Sequence, residues 1–244
     1  MGGAVPPFRF LRGGRDKLND LDRALHAFYG APETLLGNQP DPLDEAIYII
    51  LSFQTDVRRI QETWRNLRST FPTWNDLDDA PLDHVSVVLR TGGLHRQKAR
   101  AIKRLLHAVR GRFGALSLDS LHQLPDDEAE RELTRLPGLS WKGARCVLLY
   151  SLNRQVFPID GNTFRVLKRT GVIPLGAVYR RIGLHDAIQG AVAPPVRRRF
   201  HVNLVVHGQD TCLPQRPRCG ACPASNMCPM RRLPNPPTES IGSP

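Results

Sequence analysis

Residues 136–152, LPGLSWKGARCVLLYSL, place a Pro-Gly turn between two helical patterns, one ending near Leu133 and the next carrying Ala144, Val147, Leu148 and Leu152. Two helices joined by so short a turn form a helix-hairpin-helix. A turn that runs straight into a helix start directs the backbone N–H groups of Gly138, Leu139 and Ser140 outward, where they can hold a phosphate without reading its sequence. The competing reading of the same residues is an ordinary αα-corner.

The rest of the chain repeats the helical signature. Leu18, Leu21, Leu25 and Phe28 recur at helical spacing up to Gly30, and Leu43, Ala46, Ile47, Ile50 and Leu51 follow an Asp41 cap and Pro42. Val57, Ile60, Trp64, Leu67 and Phe71 run up to Pro72, and Ile102, Leu105, Leu106, Val109 and Phe113 run up to Gly114. No stretch alternates as a half-buried strand would, and the connections are short and rich in Pro, Gly and Asp. The expected fold class is therefore all-α, with about ten short helices. The 244 residues suffice for one substantial core or two modest lobes. Residues 1–14 read as a flexible basic arm and residues 231–244 as a disordered tail.

A formal net charge of +11, spread along the chain, points to an anionic partner, with nucleic acid first and an ordinary basic enzyme second. No apolar run reaches the roughly 18 residues of a membrane span, and the opening residues lack the apolar stretch of a secretory signal. A cytoplasmic protein with no membrane partner is expected. In a reducing compartment, five cysteines are not a disulfide framework. Four of them, Cys212, Cys219, Cys222 and Cys228, give C-x6-C-x2-C-x5-C, which brings four thiolates together through short loops able to bind zinc or an iron–sulfur cluster. Cys146, on the helix after the hairpin, reads as a packed thiol.

Lys142 falls in the first turn of the second hairpin helix, where a cation meets the positive end of the helix dipole, a position that lowers an amine's pKa towards that of a nucleophile. Asp160, in FPIDGNTFRVLKR, ends an apolar approach and precedes another helix, so it is a candidate cap, a candidate reaction-centre carboxylate, or both.

The segment LPGLSWKGA followed by PIDGNTFRV resembles the lysine-bearing hairpin and following aspartate segment of the endonuclease III family. The resemblance spans about residues 40–230, with the lysine hairpin, aspartate segment and cysteine loop in the family's order. It implies a two-lobed helix-hairpin-helix DNA glycosylase fold: a helical barrel domain at residues 40–154, and a second domain joining residues 15–39 to 155–230 and the cluster loop. Lys142 and Asp160 match the family's catalytic pair, the lysine attacking the sugar C1′ and forming a Schiff base while the aspartate supports deprotonation and the cationic transition state. The cysteines match its [4Fe–4S] loop, which turns the choice from zinc to the cluster. Arg216 and Arg218, in the longest inter-cysteine loop, would meet backbone phosphates.

Gln54 in LSFQTD and Leu94 in GGLHRQKA match the family's wedges, which fill the space left by an extruded nucleotide. Arg96, Lys98 and Arg100 beside Leu94 would contact phosphates. Without the resemblance, Leu94 reads as a loop anchor and Gln54 as a helix-end polar residue. The implied function is a bifunctional glycosylase and abasic-site lyase of base excision repair. It would act as a monomer on damaged double-stranded DNA and excise oxidised pyrimidines.

Several positions depart from the family pattern. Ser140 replaces a second hairpin glycine, which strains the turn if that residue needs positive φ. Trp141 adds bulk beside the lysine, and LSFQTD is one residue short in the wedge loop. Asp160-Gly161-Asn162 resembles the corresponding segment of adenine-excising mismatch glycosylases, which is the alternative enzyme. A DNA-binding cluster protein with weak or no catalysis is the alternative of another class.

Overall fold

The computed structural model describes residue 8, residues 10–31 and residues 36–232. Among them the protein is all-α, with short 3₁₀ turns and no strand. The helices are α1 (Gly14–Tyr29), α2 (Pro42–Ser52), α3 (Val57–Thr70), α4 (Trp74–Asp79), α5 (Leu82–Val88), α6 (His95–Phe113), α7 (Asp126–Thr134), α8 (Trp141–Tyr150), α9 (Gly161–Arg169), α10 (Ile182–Ala191) and α11 (Arg197–Asp210). No helix among the described residues is long and apolar enough to cross a membrane.

The stops lie where local chemistry demands them. Asp41 opens α2 by accepting the amides of Leu43 and Asp44, and Gly30 and Gly114 end α1 and α6 with φ of 71° and 77°, which only glycine adopts without strain. Thr73 and Asp76 close a reciprocal capping box on α4 directly after Pro72.

The chain forms two compact units, Leu36–Arg154 and Met1–Leu35 with Gln155–Pro244. In the first, α2 packs on α3, α6 and α8, and α7 packs on α8. Ile47, Ile50, Leu51, Leu67, Ile102, Leu105, Leu106, Val147 and Leu148 are essentially inaccessible there. In the second, α11 packs on α1 and α9 around Leu21, Leu25, Phe157, Val166, Phe200 and Leu204. The bidentate pair of Asp22 with Arg199, at 2.9 Å on both arms, ties α1 to α11.

The basic arm is corrected in part: Phe8 and Phe10 pack against the core of the second unit, because two aromatic rings this close to α1 gain more by burial than by solvation. At the other end the 3₁₀ turn Pro229–Arg232 enters the segment expected to be a tail, whose residues 233–244 lie outside the described residues.

Candidate active site and cysteine cavity

In the Leu36–Arg154 unit, α7 ends at Thr134 and the chain turns through Leu136-Pro137-Gly138 into α8. Gly138 has φ 89°, which favours glycine, and a Cβ there would stand 3.0 Å from Ile50 Cδ1, so the turn lies close against α2. The amide of Leu139 donates to the Leu136 carbonyl at 3.2 Å. That corrects its expected role as a phosphate donor, because the turn itself uses the group; Gly138 and Ser140 remain as candidate amides. Ser140 has φ −93°, so its replacement of glycine carries no strain. Instead its hydroxyl accepts the Gly143 amide at 3.4 Å and caps α8. Lys142 is the second residue of α8 and half-buried, next to a Trp141 that is 46% exposed.

Gln54 and Leu94 are both in the left-handed region, with φ of 50° and 46°, although neither is glycine. Leu94 is 42% exposed at the start of α6. Leu94 thus combines an exposed apolar side chain with a left-handed backbone. Leu94, Arg100, Arg104, Ile50 and Ala101 line one surface groove, and Ile50 and Ala101 also lie against Gly138, so the hairpin turn and Leu94 share a face. Arg96 is exposed on the first turn of α6.

Lys98 corrects its expected phosphate role. It is 2% exposed and its ammonium donates to Leu51 O, Thr55 Oγ1 and Gly92 O at 2.8, 2.6 and 2.7 Å, so it is turned into the protein. Burial pushes its pKa down to about 8.

In the other unit Asp160 caps α9. Its Oδ1 accepts the Thr163 amide at 2.7 Å and its Oδ2 the Asn162 side-chain amide at 3.0 Å, so the carboxylate is fixed and half-buried at the positive end of the helix.

Cys212, Cys219, Cys222 and Cys228 line a single cavity with Arg169 and His207, and none of the four forms a disulfide. Among the described residues no three His, Cys, Asp or Glu side chains close on one point to hold a single ion. Four cysteines around one cavity are a donor set that zinc or an iron–sulfur cluster can take. Burial, with the neighbouring thiols adding to it, pushes Cys222 up to about 11 and raises Cys228 too. Four thiolates are held there only if a cationic centre compensates them.

Arg165, Arg169 and His207, which the sequence did not single out, surround the cysteine segment. Arg169 donates to Leu213 O and Pro214 O at 2.6 and 2.8 Å, with its guanidinium 3.6 Å from Cys212 Sγ. Arg165 donates to Cys212 O at 3.0 Å and Gly208 O at 2.6 Å. His207, its pKa pushed down to about 4 by burial, lies 3.6 Å from Cys222 Sγ and is held by Tyr29 at 3.0 Å. Arg216 is exposed with φ 52°, and Arg218 is 3.6 Å from Asp210. Cys146, 3% exposed, lies in the other unit and takes no part.

The chain is similar to known proteins. An Arabidopsis thaliana protein named as a DNA glycosylase is 32% identical over 143 residues, and the match spans 59% of this chain but only about half, 49%, of that relative. The DNA glycosylase/AP lyase ROS1 of the same plant is 27% identical over 66% of this chain and 13% of its own length. Endonuclease III of Escherichia coli (strain K12) is 25% identical over 78% of this chain and 85% of its own. Among solved structures, a non-covalent Endonuclease III–DNA complex superposes with a TM-score of 0.76 at 22% identity, covering 90% of this chain and 96% of that one, so the fold is shared. The family model for the HhH-GPD superfamily base excision DNA repair protein matches residues 47–177, more than half of the chain and including both Lys142 and Asp160. The chain belongs to the HhH-GPD superfamily.

Proposed function

We propose that the protein is a bifunctional DNA glycosylase and abasic-site lyase that excises oxidised pyrimidines from duplex DNA. The observation that carries this reading is Lys142, half-buried at the second position of α8, behind a hairpin turn that shares a face with the outward-held Leu94, Arg100 and Arg104. The Lys142 amine bonds to the sugar C1′ as the bond to the base breaks and the base departs with a proton. The C1′–O4′ bond then breaks, with O4′ taking a proton as the sugar opens to an imine; loss of a C2′ proton expels the 3′ phosphate by β-elimination, and water releases the lysine. Asp160 takes up a proton and stabilises the developing positive charge. Gly138 and Ser140 offer amides to a phosphate, and Arg96, Arg216 and Arg218 add basic contacts. Cys212, Cys219, Cys222 and Cys228 hold a [4Fe–4S] cluster that rigidifies their loop.

The test is incubation with duplexes carrying thymine glycol, with undamaged duplex and an adenine–oxidised-guanine mismatch as comparisons, scoring free base and strand breaks separately. Release of thymine glycol with strand breakage supports the reading. Adenine release without breakage replaces it with mismatch repair, and binding without release of any base replaces it with a non-catalytic role.

A further inference from the structure

Lys98 projects from α6 into the Leu36–Arg154 unit, and its three N–H donors reach both segments that carry the candidate wedges. Leu51 lies at the end of α2, three residues before Gln54; Thr55 follows Gln54; Gly92 precedes Leu94 by two residues. All three acceptors are neutral oxygens, so a buried ammonium is held by dipoles alone, an arrangement that needs well-aligned partners. The Thr55 hydroxyl also lies 2.7 Å from Gly92 O, which joins the two loops directly. A Cβ on Gly92 would stand 2.9 Å from Thr63 Oγ1, so the second loop is pressed onto α3 at the point where Lys98 grips it. Both residues flanking this clip, Gln54 and Leu94, hold left-handed backbones that non-glycine residues adopt only when their surroundings impose them.

We infer that Lys98 is a positioning residue whose ammonium locks the Gln54 and Leu94 loops into one preformed wedge, so that both side chains enter the duplex together. The inference rests on the DNA-processing reading above. A flexible pair of loops would have to be ordered while a base is being unstacked; the clip has ordered them beforehand.

The experiment uses full-length protein and duplex DNA with a tetrahydrofuran abasic analogue opposite 2-aminopurine, whose fluorescence rises when wedging side chains disturb its stacking. Wild type is compared with Lys98→Met, which keeps the stem and removes every donor, and with Thr55→Val, which keeps Lys98 and removes the bridging hydroxyl. Far-ultraviolet circular dichroism and melting identify any variant that fails to fold, in which case Thr55→Val alone decides.

The expected result is a fluorescence rise cut by roughly fivefold in Lys98→Met and by roughly twofold in Thr55→Val, with affinity for the duplex within about threefold of wild type because phosphate contacts are untouched. Hydrogen exchange at the amides around Gln54 and Leu94 quickens in the same order. An undiminished rise in folded variants overturns the inference while leaving the DNA-processing reading intact. A wild type that binds with no rise overturns the wedge itself. A wild type that neither binds nor forms a borohydride-trapped adduct on an ordinary abasic duplex overturns the functional reading.

Discussion

Asn162 donates its side-chain amide to Asp160 Oδ2 at 3.0 Å while Thr163 N–H holds Oδ1 at 2.7 Å, so the first turn of α9 fixes both oxygens of the carboxylate. One residue therefore serves as helix cap and as candidate catalytic group, and two substitutions separate the roles. Asp160→Asn retains a capping oxygen and should change stability by less than about 0.5 kcal/mol, whereas Asp160→Ala should cost about 1 kcal/mol. Base excision should fall about 100-fold or more in both, because each removes the charge. Urea unfolding beside single-turnover excision measures the split, and an active Asp160→Asn would remove the carboxylate from the chemistry.

Ser140 provides a second case in which replacing an unexpected residue is informative. Since it adopts φ −93° and caps α8, restoring glycine should relieve nothing and should lower stability by a few tenths to about 1 kcal/mol. Thermal melting of Ser140→Gly decides this; a gain in stability would mean that the turn is strained after all.

The cysteine loop should depend on Arg169 as well as on its thiols. Arg169→Met leaves the carbonyls of Leu213 and Pro214 without that donor, and a loss of about 2–4 kcal/mol is expected. Iron and sulfide analysis should give about four of each per wild-type chain, and markedly less in Cys222→Ala. Stoichiometric zinc without iron would replace the cluster.

Lys98 also makes stability depend on pH. Its folded pKa of about 8 lies below the ordinary lysine value of 10.5, so between those values the unfolded chain binds more protons and this group adds stability as pH rises. The contribution is on the order of 2 kcal/mol across that window. Denaturant unfolding at about pH 7.5 and about pH 9.5 should show wild type gaining relative to Lys98→Met, and parallel behaviour would place the ammonium in solvent.

The helices and their ends were legible because each stop is a local event: glycine at positive φ after Tyr29 and Phe113, proline after Phe71, a carboxylate before Pro42. The places of Lys142 in the first turn of α8 and of Asp160 as the cap of α9 were legible for the same reason, since a helix start is written in its neighbours. Lys98 was misread because it sits in the run Arg96–Arg100 and shares their charge. Its helical phase, four residues before the buried Ile102 and seven before Leu105, was the signal that it faces inward.

Arg165 and Arg169 carried no comparable signal. Their acceptors, from Gly208 to Pro214, lie some forty residues further along the chain and meet them only through the packing of α9 on α11. Likewise nothing in the residue types announces a left-handed backbone at Gln54 or Leu94, which the packing around them imposes.

The central claim is that the Lys142 amine becomes covalently joined to the sugar of the damaged nucleotide. The most direct measurement is borohydride reduction of wild type on a thymine glycol duplex, followed by proteolysis and mass spectrometry of the DNA-linked peptide. The account predicts a single adduct mapping to Lys142, absent in Lys142→Ala. An adduct on another lysine, or base release by Lys142→Ala at the wild-type rate, would contradict it.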